Sequence, residues 1–267
     1  MKTWIFALVF LLITACQPSI NKDTTTSDDA TYNTQKSDSF YHYSIWWALV
    51  NLVYDGTLTA GELKEKGDIA LGSYNGLDGE LVMTDGKLFR IAEDGAVYEA
   101  ENEELICYAN ATWFDMDKSY EIVGPIIYDS LRSDISSNFP SPNQFYGLRV
   151  HGDFTYMKCG GVPKQEKPYE LGLDVLLPNR PVYERENVTG TMVGFYCPDF
   201  IGNINVTGFH FHFISDDATF GGHVLEFEAQ KLQVGMDFIT EYTFILPETP
   251  EYLQKETFDK EFQYGTK

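Results

Sequence analysis

Gly208-Phe-His-Phe-His-Phe-Ile-Ser-Asp-Asp-Ala-Thr-Phe-Gly-Gly-His223 holds three of the five histidines in a chain of 267 residues. Its aromatic and β-branched residues predict a strand over 209–214, and the two-residue period of a strand puts His210 and His212 on one face with Phe209, Phe211 and Phe213 on the other. Ser215-Asp216-Asp217 and Gly221-Gly222 are turn residues, so a hairpin can return the chain and bring His223 beside the first pair. Three neutral imidazoles suit Zn²⁺ and leave a coordination position open for water or substrate, which is the pattern of a catalytic metal. A cupin barrel also carries a His-x-His strand, but it needs a nearby carboxylate ligand, here Asp216 or Asp217.

Outward from this stretch the chain reads as β-rich. Gln144 to Met157 alternates Phe145, Gly147, Arg149 and His151 against Tyr146, Leu148 and Val150. Further strands are expected over 190–196, 206–214, 223–232 and 240–246. On the N-terminal side, Asn75-Gly76, Asp78-Gly79, Asp85-Gly86 and Asp94-Gly95 mark tight turns between short strands. Leu105 to Phe114 predicts another strand, and Ile122 to Leu131 fits either strand or helix. Two short helices precede them: Ser44 to Tyr54, with Ser44 as cap and Asp55-Gly56 as stop, and Thr59 to Lys66, whose Thr59-Ala-Gly-Glu62 start has capping-box form. The fold class is α+β: two mainly antiparallel or mixed sheets, few helices, and the metal site on the C-terminal sheet.

The chain ends are of a different kind. Lys2, the apolar run to Ile13 and the small residues before Cys16 predict a bacterial lipoprotein signal over 1–16, with the Cys16 thiol lipidated on a membrane-anchored, exported protein. Residues 17–38 are polar and read as a flexible tether. Pro140 and Pro142 suggest a division into an N-terminal α+β unit, 39–139, and a C-terminal β-rich metal-binding unit, 140–267. A net charge of −21 opposes nucleic acid and makes any anionic substrate depend on local cations. Cys107, Cys159 and Cys197 contain no Cys-x-x-Cys pair and are expected as buried free thiols.

Three collinear stretches resemble α-acetolactate decarboxylase: Val53-Tyr-Asp-Gly-Thr-Leu-Thr-Ala-Gly-Glu-Leu63 running through Gly67 to Glu80, Val162-Pro-Lys-Gln-Glu-Lys-Pro-Tyr169, and Gly194-Phe-Tyr-Cys-Pro-Asp-Phe200 running through Gly208 to Leu225. The resemblance implies a two-domain, usually dimeric zinc enzyme that turns α-acetolactate into acetoin and carbon dioxide, a step toward butanediol. It implies His210, His212 and His223 as metal ligands, Glu80 as proton donor and Ser73 in a substrate-lining position. The metal acts as electron sink for the pair released with carbon dioxide. The chain departs from the family pattern at Gly160, where an arginine usually grips the substrate carboxylate. Lys158 and Arg149 are the candidate replacements. Of the tail, Glu261 is the candidate for the family's late glutamate. His42 and His151 read as structural. Gly160 keeps two other functions open: a metal- and ligand-binding lipoprotein without turnover, and an enzyme repurposed for another hydroxy-ketone.

Overall fold

The computed structural model describes Met1, residues 38–256 and residue 258; the signal after Met1, nearly all of the tether and Glu261 lie outside the described residues. In chain order the elements are β1 (Ser39–Tyr43), α1 (Trp46–Val50), β2 (Leu58–Thr59), α2 (Ala60–Lys64), β3 (Ile69–Tyr74), β4 (Glu80–Thr84), β5 (Lys87–Ile91), β6 (Val97–Glu99), β7 (Leu105–Thr112), β8 (Lys118–Ile127), α3 (Tyr128–Ser137), β9 (Phe145–Gly160), α4 (Leu173–Leu176), β10 (Val182–Cys197), β11 (Gly208–Ser215), β12 (Gly221–Ile239), β13 (Glu241–Ile245) and α5 (Pro250–Leu253). Among the described residues no helix is long and apolar enough to cross a membrane.

The strands make two sheets. The first has the order β13-β1-β7-β3-β4-β5-β6 with β2 on β7, and the second the order β11-β10-β9-β12-β8. Neighbours are antiparallel except β1 and β13, which run parallel. In the second sheet β11 also pairs with β12, so β9, β10, β11 and β12 form a closed hydrogen-bonded circuit. The strand partition does not follow the prolines: β8 and α3 precede Pro140, yet β8 pairs with β12, while β13 returns to the first sheet. Residues 39–139 and 140–267 therefore do not each correspond to one sheet.

Side-chain alternation explains how the sheets pack. Leu71, Val82 and Ile91 of the first sheet bury against Val193, Phe195 and Ile214 of the second, and Phe40 and Ile239 complete this shared layer. The opposite face of the second sheet carries Phe154, Phe211, Phe213 and Phe227, covered in part by Leu131 and Ile135 of α3. That face is the one expected for the phenylalanines, so the intervening histidines turn toward the first sheet. Burial of these aromatic side chains is worth roughly 2–3 kcal/mol each.

Local rules hold in several places. Asp85 and Gly86, at φ 50° and 73°, form the two-residue turn joining β4 to β5, as an Asp-Gly hairpin requires. Thr59 and Glu62 complete a reciprocal capping box at α2. Residues 122–131 contain both structures anticipated for them, the end of β8 and the start of α3. The expected Ser44 cap is not used. Ser44 N–H donates to the Ile245 carbonyl, continuing the pairing with β13, and Ile45 becomes the residue that enters α1. That helix stops at Val50, well before Asp55-Gly56. Cys107, Cys159 and Cys197 are buried and free.

Candidate metal centre and substrate pocket

The hairpin of β11 and β12 builds the site. His212 lies directly opposite His223, and His210 is one strand period further along β11. Phe213 faces Gly222, whose φ of 132° and close approach to the Gly160 carbonyl, 2.9 Å from an added Cβ, exclude a side chain. This glycine lets β12 press against β9 while turning His223 into register with both His212 and Gly160. Residues 216–219 close the turn on themselves. Asp217 accepts from the Ser215 hydroxyl at 2.6 Å and from Thr219, and Asp216 sits 3.3 Å from exposed His151.

The three imidazole centroids are 4.9 to 5.2 Å apart, and one nitrogen from each lies within 4.8 Å of the others. Among the described residues this is the one histidine, cysteine and carboxylate cluster compact enough to hold a metal ion. Neither Asp216 nor Asp217 belongs to it, so the carboxylate ligand that a cupin site requires is missing. Burial pushes the pKa of all three rings down, and the mutual proximity of His210 and His223 to other imidazoles and to Arg180 adds to it. The rings are thus neutral, the form that binds metal.

Tautomers support the same chemistry. His212 Nδ1–H donates to the Leu81 carbonyl at 2.8 Å, which leaves the Nε2 lone pair facing the cluster. His210 Nε2 and His223 Nδ1 lie 3.2 Å apart, and His210 Nδ1 is buried with no hydrogen-bond partner. An all-imidazole donor set with a buried unmatched nitrogen fits a borderline divalent ion.

Across the gap stand residues from the first sheet. Ser73 and Glu80 are paired on β3 and β4, so they share a face, and Leu71 and Val82 place that face toward the second sheet. Glu80 is 7% exposed, with one carboxyl oxygen 3.4 Å from His212 Nε2. Burial raises its pKa to about 8, opposed by the Arg180 charge. The Ser73 hydroxyl donates to the Gly79 carbonyl at 3.0 Å.

The cavity between these groups has a volume of about 70 Å³. The histidines, Glu80 and Ser73 line it together with Trp46, Leu49, Leu173 and Leu177 from the short helical segments. Tyr108 and Arg180 also line it, and sequence spacing pointed to neither. Tyr108 is buried, and its hydroxyl donates to Asn205 Oδ1. A tyrosine in a β strand carries no signal of its own, and Arg180 follows Pro178-Asn179 in an ordinary-looking turn.

Two residues expected near substrate sit elsewhere. Arg149 donates to Asp85 at 2.6 Å, and Lys158 lies 3.4 Å from Glu184; neither lines the cavity. On β9, Lys158 shares the face of position 160 but lies one strand period further from His223, and there it projects beside its strand partner Glu184. His42 is buried far from the imidazole cluster in sequence, and accepts or donates through Nδ1 to the Tyr242 hydroxyl at 2.6 Å.

Known proteins share this arrangement of sheets and sequence. A sequence model of the alpha-acetolactate decarboxylase family matches residues 40–259. An alpha-acetolactate decarboxylase from Methanosarcina mazei is 37% identical over 82% of this chain and 76% of its own length. The one from Bacillus licheniformis is 33% identical over 81% of this chain and 85% of its own. A crystal structure of alpha-acetolactate decarboxylase from Bacillus subtilis strain 168 superposes with a TM-score of 0.80 at 31% identity, covering 83% of this chain and 94% of that one. The chain belongs to the alpha-acetolactate decarboxylase family of carboxy-lyases.

Proposed function

We propose that this protein decarboxylates α-acetolactate to acetoin, using Zn²⁺ held by His210, His212 and His223 and a proton supplied by Glu80. The observation that carries this reading is the convergence of three neutral imidazoles and a buried protonated carboxyl on one cavity. When bound, the zinc would supply a Lewis acid for the adjacent hydroxyl and ketone oxygens of the substrate. The protein supplies the rest. Trp46, Leu49, Leu173 and Leu177 exclude water from the reacting carbons. The Leu81 carbonyl fixes the His212 tautomer.

In the reaction the bond between the carboxylate carbon and the hydroxyl-bearing carbon breaks, carbon dioxide leaves, and the electron pair stays with the remaining fragment. That fragment takes up one proton to give acetoin. Glu80 has the right state to give it, because a carboxyl with a pKa of about 8 is largely protonated at neutral pH. It regains its proton from solvent, so substrate plus one proton gives acetoin plus carbon dioxide. Ser73, sharing the Glu80 face, lies against the substrate side of the cavity.

The wider setting is part of the proposal: an exported lipoprotein tethered through lipid on Cys16, working as a homodimer on a small hydroxy-keto acid. The test is direct. Zinc-loaded protein given racemic α-acetolactate is expected to form acetoin well above the spontaneous rate, and chelation should abolish the excess. No acetoin above background from protein with a full complement of zinc would overturn the assignment. For the tether, Cys16→Ser should move the protein from the membrane to the soluble fraction.

A further inference from the structure

Arg180 is the one cationic side chain among the residues lining the cavity, in a chain whose net charge of −21 opposes any anion. It follows α4, and its Nε–H donates to the Leu177 carbonyl at 3.0 Å, which fixes the plane of the guanidinium. Its charge reaches Glu80, His210 and His223, the groups on both sides of the pocket. The stem of Arg180 passes over Gly160. A Cβ built on Gly160 would stand 2.8 Å from Arg180 Cδ, closer than packed atoms allow, and 3.0 Å from a Leu225 methyl, a tight contact.

Strand register gives this contact its meaning. Gly160 is the direct partner of His223 on β12, and directly opposed residues project to the same face of a sheet. Any side chain at 160 would therefore enter the cavity beside His223. Arg180 delivers a guanidinium to that place from the neighbouring turn, and it can do so because position 160 has no side chain. Lys158 and Arg149 cannot serve, since each is engaged with a carboxylate away from the cavity.

We infer that Arg180 is the group that binds the substrate carboxylate, with Gly160 as the space that admits it. The inference rests on the proposed decarboxylase reading for its substrate, and it concerns binding rather than the metal. A guanidinium suits the task because its planar donors match a carboxylate, and the fixed Nε limits the rotamer entropy lost on binding. Arg180 is here a substrate-binding residue, and Gly160 a positioning one.

The experiment measures binding to the zinc-loaded full chain of two stable probes by calorimetry: 2,3-dihydroxy-2-methylbutanoate, which keeps the carboxylate, and neutral 2,3-butanediol, which lacks it. Arg180→Ala is expected to weaken the acid by roughly 30- to 100-fold, the range of a charge-assisted hydrogen-bonded contact, and to leave the diol within about twofold. Arg180→Lys should recover part of the loss. Gly160→Ala should weaken the acid in the parent but add little in the Arg180→Ala background, since both changes remove one contact. Zinc content and the unfolding temperature monitor the fold. Equal loss for both probes, no loss for the acid, or no binding of the acid by the parent would overturn the inference. Parent protein that binds the acid through Arg180 yet forms no acetoin would sink the decarboxylase reading and leave the carboxylate site standing.

Discussion

Glu80 at the start of β4 and Asp237 near the end of β12 are both buried carboxyls, and burial raises each pKa to about 8. Their surroundings differ. Glu80 looks into a cavity beside His212 and within reach of the Arg180 charge. Asp237 faces Gly147 across the strand pair, where the Asp115 backbone N–H offsets part of the burial and the charges of Asp117, Asp38 and Asp115 repel it. A raised pKa is thus no sign of catalysis by itself. What separates the two is whether other reactive groups and open space converge on the carboxyl.

The largest expected effect is at Glu80. Glu80→Gln keeps the shape and removes the transferable proton, so kcat for acetoin formation should fall by about 10²- to 10⁴-fold while zinc content is unchanged. Asp237→Asn should leave turnover within about twofold; a comparable loss there would erase the contrast.

Stability provides the second arm. For both acids the folded chain keeps a proton that the unfolded chain releases near pH 4, so stability falls as pH rises from about 4 to 8. Asp237→Asn removes that slope at its site. Chemical denaturation should find it about 1–3 kcal/mol more stable than the parent at pH 8 and little changed near pH 4. A variant less stable than the parent at pH 8 would mean that the Asp237 carboxylate is held by a favourable contact.

Smaller effects follow at the periphery. Thr59→Ala removes the capping box of α2 and should cost about 1 kcal/mol in denaturant titration with no change in turnover. Arg149→Gln breaks a partly exposed ion pair with Asp85 and should cost at most about 1 kcal/mol, with kcat/KM within about twofold. A large kinetic loss from Arg149→Gln would place that residue back among the substrate contacts.

Much of the histidine hairpin was legible because it is local. Alternation over 209–214 and the turn residues that follow are enough to bring His210, His212 and His223 together, and the hairpin forms in that register. Glu80 was legible through family resemblance alone, since a glutamate opening a strand looks like a solvent-facing residue until its sheet is packed. Arg180 was not legible at all. It reaches the cavity through the register of β9 with β12 and the absence of a side chain at 160, contacts between segments far apart in the chain. Ser44 failed as a cap for a related reason: its backbone is claimed by Ile245, two hundred residues on.

That last pairing has a consequence for how the protein is made. The outer neighbour of β1 is β13, so the first strand among the described residues waits for the last before its second row of hydrogen bonds is filled. Until then β1 offers an open strand edge, the kind of surface through which nascent chains join one another. A topology whose opening and closing segments lie side by side folds slowly. Its vulnerable period is accordingly synthesis and early maturation.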